Sequence, residues 1–330
     1  MTTHRPGNVD EFTHIASEFQ KLTKYGFPRF THPEVAIAYS FDSFVDSHPN
    51  GPSSTTRQYF KRAYTDQVQD AFEPFFRANL DTAIINIGHD LLSSHKLVVV
   101  PADFVMDEAS AKALREYVKS GGTVLMTGYS AKVDKHGQWL NTPLPGRLSD
   151  VFGLKTNAFY DVPVLSFELD GKTVETHAHR YEVLEPSTAA VLARFSNRPA
   201  HEPALTLNKF GNGNTLYLAT ESDSAAVDAV LSYLYEMTGL HGGPRTPAGV
   251  YARVVDGRTL YVNTTNEEKR IAIQGSKTGI ITGHEVRQAI HQAGCFILNF
   301  SPEGLSIHPE QQQSFTERHR RRVAEVLESF

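Results

Sequence analysis

The hydrophobic positions between residues 34 and 127 predict a parallel sheet that is buried on both faces. Short runs rich in valine, isoleucine and leucine recur as "EVAIAYS", "TAIINIG", "KLVVVPA" and "TVLMTG", and near-continuous apolar strands of this kind are typical of parallel sheets. Helical patterns separate them. One of these, "DEASAKALREYVKSGG", predicts a helix with Asp107 as its N-cap and Gly121 as the residue that ends it. The pattern predicts a flavodoxin-like, doubly wound α/β unit resembling class I amidotransferases.

After Phe152 the pattern changes to strict alternation of apolar and polar residues. "VPVLSFELDGKTVETHAHRYEVL" and "PALTLNKFGNGNTLYLAT" carry the hairpin dipeptides Asp170-Gly171 and Asn212-Gly213. These runs predict an antiparallel insertion, after which the helix "SAAVDAVLSYLYEMTGL" packs back. Beyond the linker "HGGPRTPAG", the alternating runs "VYARVVDGRTLYVNTT" and "GCFILNF" predict a small β-sandwich.

The first residues predict an amphipathic helix, "NVDEFTHIASEFQKL", followed by a linker at "YGFPRFTHP". A lone helix with an apolar face needs a partner that covers it. We therefore divide the chain into a lead-in helix and linker (1–30), an α/β domain (31–243), a β-sandwich (244–310) and a helical tail (311–330).

Composition narrows the functional classes. The chain has 330 residues, of which 40% are hydrophobic and 21% charged, as expected for a globular protein. The net charge of −5 disfavours nucleic-acid binding, because it gives no positive field over the protein. The basic run "ERHRRR" is interpreted as a solvent-exposed helix face. We find no signal peptide and no membrane-spanning run in the sequence, so the expected location is the cytoplasm.

The candidate metal ligands lack a recognised spacing. "HEVRQAIH" is not the His-Glu-x-x-His motif, and a single cysteine makes neither an internal disulfide nor a thiolate zinc site. We therefore expect no metal and no cofactor. The residues considered are His177, His179, His284, Glu285, His291 and Cys295.

Two loops follow strands of the predicted sheet, where open α/β sheets present ligand-facing residues. The corner Gly128-Tyr129-Ser130-Ala131 resembles a nucleophile elbow, but it lacks a glycine two residues after the serine. We interpret it as scaffold and assign no catalytic residue. Trp139, in a loop rich in turn formers, is expected to pack against a sugar ring, a neighbouring subunit or its own loop.

A collinear set of segments resembles one enzyme family. "VAIAYSFDS", "SSHKLVVVPADFVMDEASAKALREYVKSGGTVLMTGYSAKVDKHGQW" and "PGRLSDVFGLK" resemble, in order and spacing, the middle, trimerisation domain of glycoside hydrolase family 42 β-galactosidases. "ALTLNKFGNGNTLYLAT" resembles the end of that domain, and "VYARVVDGRTLYVNTTNEEKRIAI" resembles the small C-terminal β domain of the family. The resemblance runs from Val35 to His308.

The resemblance implies an assembly role. In that family a (β/α)8 barrel carries the two catalytic glutamates, whereas residues 1–30 here resemble only its last helix and exit linker. We expect a non-catalytic module that forms a homotrimer or joins a separate barrel chain, closing the active-site mouth of a galactoside-cleaving enzyme. The residues expected to contact a ligand or a neighbour are Phe41, Asp42, Ser43, Phe44, Tyr129, Ser130, Lys132, Asp134 and Trp139.

Two alternatives stay open from the sequence. The chain could be a stand-alone carbohydrate-binding or hydrolytic protein that uses Asp42, Tyr129, Ser130 and Asp134 at the sheet switch point. It could also be a small-molecule-binding regulator built on an amidotransferase-like fold.

Overall fold

A computed structural model describes residues 6–23, 33–47, 62–255 and 258–271, together with the strand segments 277–278, 285–286, 289–290 and 295–299. The chain folds as two compact units. The described residues of the larger unit lie within His32–Arg77 and Asp81–His241, and those of the smaller unit lie in the N-terminal helix, Ala78–Leu80 and Gly242–His308.

The described part of the larger unit contains five α-helices and eleven strands. The helices are α2 Phe41–Ser47, α3 Tyr64–Arg77, α4 Glu108–Lys119, α5 Ser149–Phe152 and α6 Ser224–Thr238, which follow α1 Pro6–Leu22 of the smaller unit. The strands are β1 Val35–Ala38, β2 Thr82–Ile85, β3 Leu97–Val100, β4 Thr123–Thr127, β5 Leu154–Asp161, β6 Leu165–Leu169, β7 Lys172–Thr176, β8 Arg180–Pro186, β9 Ala190–Phe195, β10 Pro203–Phe210 and β11 Gly213–Leu218.

Nine of these strands form one mixed sheet in the order β2-β1-β3-β4-β11-β10-β9-β6-β7. The first five run parallel, and β10 pairs antiparallel with β11. The strands β1, β3 and β4 are buried at every position, as their continuous apolar runs predict. The α/β class is thus confirmed, while the flavodoxin-like and doubly wound description stays a prediction.

The predicted antiparallel segment divides between two sheets. The strands β10, β9, β6 and β7 extend the parallel sheet at its β11 edge, and β5 pairs with β8 in a separate two-stranded ribbon. The predicted Asp170-Gly171 turn joins β6 to β7, and both of its residues have the positive φ that such a turn requires. In the second hairpin the loop residues are Gly211 and Asn212, one position earlier than predicted, because Gly213 already pairs with Phe210.

The helices of the larger unit bury apolar faces against the sheet or each other. On α4, Ala111, Leu114 and Val118 are buried, and the predicted N-cap is confirmed because the Ser110 N–H donates to Asp107 Oδ1 at 2.7 Å. On α3 the buried side includes Val68 and Phe75, and this helix packs against α6 and β1.

In the smaller unit, β12 Val250–Val255, β13 Arg258–Asn263 and β18 Cys295–Asn299 form an antiparallel sheet. Asn79 stabilises it locally, since its Nδ2 donates to Pro244 O at 2.6 Å and its Oδ1 accepts from Ala252 N at 2.8 Å. Two short antiparallel pairs join β14 Lys269–Arg270 to β17 Ala289–Ile290 and β15 Lys277–Thr278 to β16 Glu285–Val286. The β-sandwich stays a prediction.

Some expectations fall outside the described residues. These are the helical tail at 311–330, the Asp256-Gly257 turn, and the side chains of His284, Glu285, His291 and Cys295. No helix of the described part is both long and apolar enough to cross a bilayer.

Candidate functional site

The carboxyl ends of the parallel strands meet at one edge of the nine-stranded sheet, where we place the candidate site. The connection that leaves β1 runs to β2 on one side of the sheet, whereas the connection that leaves β3 runs to β4 on the other side. Open α/β sheets bind ligands outside the carboxyl ends of the strands at such a reversal. The segments that follow β1, β3, β4 and β11 therefore form this edge.

A buried carboxyl group, Asp103, joins three of these segments. Its Oδ1 accepts a hydrogen bond from Ser43 Oγ at 2.6 Å, and its backbone N–H donates to Ser130 Oγ at 3.1 Å. Ser43 Oγ also accepts from Val105 N at 2.9 Å. Ser43 and Ser130 thus act as internal connectors of α2, the segment after β3 and the segment after β4.

Burial raises the pKa of Asp103 to about 6, and the nearby carboxylates Asp42 and Asp107 act in the same direction. Hydrogen bonds from the Ser43 and Ser40 hydroxyls oppose this rise. Sequence reasoning missed Asp103, although its position two residues beyond an apolar strand end, in "VVVPADF", is a usable signal.

The backbone of this edge is strained at three positions. Ala102, Tyr129 and Ala131 have φ of 44°, 71° and 56°, in a region that non-glycine residues rarely occupy. Ala131 N donates to Asp103 O at 2.8 Å, which helps to hold the turn. Strained residues of this kind cluster at functional sites, where the surrounding structure holds them in place.

A buried ion pair stabilises the segment that follows β4. Lys132 Nζ lies 2.8 Å from Glu182 Oε1, and both side chains are 3% exposed. The second carboxylate oxygen accepts from Tyr217 OH at 2.6 Å, and Oε1 also accepts from Tyr129 N at 3.1 Å. Burial lowers the pKa of Lys132, an effect that Glu182 opposes, and burial raises the pKa of Tyr217.

Glu182 was not anticipated from the sequence. It lies on β8, 53 residues from Tyr129 along the chain. Its one local signal is a charged residue among the apolar residues of the run "YEVL". An alternating pattern cannot identify its partner, because the contact is made across the fold.

An aromatic and cationic cluster lies beside the ion pair. The Arg180 guanidinium lies 5.6 Å from the ring centroid of Tyr129 and 5.3 Å from that of Phe159, and it pairs with Asp161. Burial raises the pKa of Tyr129, and Glu182 contributes to the rise. This cluster attaches the ribbon of β5 and β8 to the carboxyl edge.

The residues predicted as contacts divide into buried and exposed groups. Ser43, Tyr129, Ser130 and Lys132 are buried, so in this conformation they support the edge and do not face solvent. Phe41 is 64% exposed, Asp42 is exposed and Phe44 is half-buried.

The loop after β4 holds the last two predicted contacts. Asp134 Oδ1 accepts from the backbone N–H groups of His136 and Gln138 at 2.8 and 3.0 Å, which organises the loop. Trp139 is 39% exposed and its ring meets Phe104 edge-on at 5.7 Å. Asp134 therefore folds the segment, and Trp139 presents part of its ring to solvent.

Gly128 lies where two strands of the sheet approach each other closely. A Cβ at this position would lie 2.9 Å from Thr220 O, because the ends of β4 and β11 approach closely here. Gly128 N donates to Thr220 O at 2.8 Å. The glycine thus serves strand packing, in keeping with the interpretation of the corner as a support.

Two open depressions, of about 510 and 520 Å³, are lined by residues other than the predicted contacts. The first is lined by Asp150, Thr188, Asn208, Lys209, Phe210 and Gly211, and the second by Asp161, Val162, Pro163 and His179. The backbone N–H groups of His177 and His179 donate to Asp223 and Glu221. Within the part of the chain that the structure describes, no cluster of three potential metal ligands occurs.

Curated relatives are β-galactosidases. Beta-galactosidase Pbg of Clostridium perfringens is 28% identical over 272 residues, which cover 77% of this chain and 39% of that protein. Beta-galactosidase LacA of Lactobacillus acidophilus is 26% identical over 217 residues, or 63% of this chain and 32% of that protein. The chain thus spans well under half the length of these relatives.

Solved structures share the fold. The beta-galactosidase from Bacillus circulans sp. alkalophilus matches with a TM-score of 0.74 at 23% identity, over 86% of this chain and 44% of that one. Gan42B, a GH42 beta-galactosidase from G. stearothermophilus, matches with a TM-score of 0.75 at 21% identity, over 88% of this chain and 43% of that one.

The family model described as the beta-galactosidase trimerisation domain matches residues 33–241. These residues include every strand of the nine-stranded sheet and the whole carboxyl edge. Because the match covers more than half of the 330 residues, the chain belongs to the β-galactosidase trimerisation domain family of glycoside hydrolase family 42.

Proposed function

We propose that this chain is a non-catalytic assembly module of a β-galactosidase system, which trimerises and closes the mouth of a neighbouring barrel's active site. The family match supports the coarse part of this proposal, a β-galactosidase-related protein. The observation that carries the finer part is an exposed aromatic face at the carboxyl edge of the sheet. We define this aromatic face as Phe41 on α2 and Trp139 in the loop after β4.

The aromatic face suits a protein contact. Exposed aromatic rings are enriched where subunits meet, because they bury a large area at low cost in side-chain entropy. Phe41 packs with Phe44 at 6.1 Å, and Trp139 packs with Phe104, so each ring is held by a buried or half-buried neighbour. Hydrogen bonds beneath them fix α2 and the β4 segment, which favours association of preformed surfaces.

The test is the native mass of the purified chain by sedimentation equilibrium. We expect a trimer, and we expect Phe41→Ser to raise the dissociation constant at least tenfold. Leu91→Ser is the matched control, because Leu91 is 72% exposed but lies on the connection between β2 and β3. A monomeric wild-type chain, or equal weakening by both substitutions, would contradict the proposal.

Activity provides a second test. The chain alone should not hydrolyse a chromogenic β-galactoside, since we assign it no pair of catalytic carboxylates. Turnover that copurifies with the chain and survives further purification would refute the non-catalytic part of the proposal while leaving the assembly part standing.

A further inference from the structure

Ser43 helps to anchor the helix α2 to the sheet edge, and the carboxyl group of Asp46 on the same helix is also buried. The Ser43 hydroxyl donates to Asp103 Oδ1 at 2.6 Å and accepts from Val105 N at 2.9 Å. Ser43 and Asp103 are both buried, with 0% and 4% of their surface exposed. Because α2 has only seven residues, these two hydrogen bonds of Ser43 contribute strongly to its position on the sheet edge.

The opposite side of α2 carries Phe41, half of the aromatic face. The Phe44 ring lies 6.1 Å from Phe41 and 6.4 Å from Tyr39. At the start of the helix, Ser40 N donates to Tyr64 OH at 2.9 Å. The position of Phe41 therefore depends on how firmly α2 is held against Asp103 and α3.

The charged groups that act on Asp103 disfavour its ionised form. Asp42 approaches from α2 and Asp107 from the N-cap of α4, and both are carboxylates. From α3 comes the phenol of Tyr64, whose pKa is raised by burial and by Asp103 itself. The β4 segment contributes the Ser130 hydroxyl, bonded to the Asp103 backbone. An ionised Asp103 is thus both poorly solvated and repelled.

We propose that proton binding by Asp103 is a latch for α2: the neutral carboxyl holds the helix closed, and the ionised carboxyl favours its opening. A neutral Asp103 removes the repulsion with Asp42 and Asp107, and its Oδ1 can still accept the hydrogen bond from Ser43 Oγ. When α2 opens, the ionised carboxylate gains water. The latch therefore makes the aromatic face better ordered in mildly acidic solution than at neutral pH.

The size of the effect follows from linkage. A carboxyl whose pKa is raised by folding binds its proton more tightly in the closed form, so closure weakens as the pH rises through the folded value. With a pKa of about 6 when closed and the ordinary value of 3.8 when open, the opening constant rises about tenfold between pH 5 and pH 7.5.

Hydrogen exchange measured by mass spectrometry tests the latch. Peptides that cover α2 should show about a tenfold larger opening constant at pH 7.5 than at pH 5, after correction for intrinsic exchange rates. Peptides from α4 serve as a control for opening of the whole unit, and their opening constant should change less between the two pH values than that of α2. Light scattering must show the same oligomeric state at both pH values, so that the result does not depend on whether the proposed trimer forms.

Variants sharpen the assignment. Asp103→Asn should give an α2 opening constant that is the same at both pH values, and Asp42→Asn should move the transition to lower pH because it removes one repelling charge. Glu175→Gln, at an exposed position on β7, is the control and should behave like wild type. If wild-type α2 opens equally at both pH values, the latch does not exist. This comparison needs only the wild-type protein, so it can be made even if Asp103→Asn fails to fold. A pH effect that persists in Asp103→Asn would assign it to another group.

Discussion

Removing the Lys132 charge should destabilise the larger unit far more than removing an exposed charge. Lys132→Met keeps most of the apolar stem but leaves Glu182 buried without its cation. Breaking a buried pair from one side costs about 3–5 kcal/mol. Glu182 keeps hydrogen bonds from Tyr217 OH and Tyr129 N, so we expect the lower end of that range, about 3 kcal/mol.

The partner substitution should cost more. Glu182→Leu removes the acceptor for both Tyr217 OH and Tyr129 N as well as the anion facing Lys132. We expect a loss of about 4–5 kcal/mol, since buried polar groups lose their partners in addition to the ion pair. The loss in unfolding free energy of the double variant should be smaller than the sum of the two single losses by about 2–3 kcal/mol, because neither buried charge is then present.

Urea denaturation followed by tryptophan fluorescence measures these values. Trp139 is the sole tryptophan of the chain and lies in the loop that follows Lys132, so its emission reports on the larger unit. Arg147→Met is the control, because Arg147 pairs with Glu108 at 3.1 Å but the two side chains are 57% and 74% exposed. That pair should be worth less than about 1 kcal/mol. A Lys132→Met cost as small as the control, or strict additivity in the double variant, would refute the reasoning.

Three further predictions concern stability. Asp103→Asn should remove a loss of about 1.4 kcal/mol that the wild type shows in denaturation curves between pH 5 and pH 7.5, because folding raises the pKa of Asp103 from 3.8 to about 6 and its stabilising contribution is therefore greatest below the unfolded value. A wild-type stability that is flat or rises from pH 5 to pH 7.5 would argue against it. Gly213→Ala should cost about 3 kcal/mol, since its Cβ would lie 2.2 Å from the Val118 and Gly122 carbonyl oxygens, whereas Gly171→Ala, with open space around it, should cost about 1 kcal/mol in the same assay. Asp107→Ala should lower the stability by about 1 kcal/mol through loss of the α4 N-cap, and Asp107→Asn, which keeps an acceptor, should recover most of it.

Much of the larger unit could be predicted because its signals are local. Four or five mostly apolar consecutive residues predict a buried parallel strand, as in β3 and β4. The start of α4 follows from Asp107 alone, and the turn between β6 and β7 follows from Asp170-Gly171. Each of these features is decided within a few residues of chain.

The candidate site was predicted only in part. Both exposed members were named from the sequence, Phe41 because it follows the first strand and Trp139 because it is an aromatic residue in a loop rich in turn formers. For Ser43, Ser130 and Lys132 the sequence could indicate position but not burial, and the structure shows them bonded inside the fold. The hairpin loop at Gly211 was displaced by one residue in the prediction, because the pairing register of β10 and β11 extends to Gly213.

By itself, the sequence determined the order and type of the elements, the caps and turns that bound them, and the collinear pattern of the family. The tertiary structure alone decided that Asp103 is buried near the carboxylates of Asp42 and Asp107 and that Lys132 contacts Glu182. The physical reason is range. Backbone preferences and apolar periodicity act over neighbouring residues, whereas the cost of a buried charge depends on groups that only the folded chain brings within a few ångströms of one another.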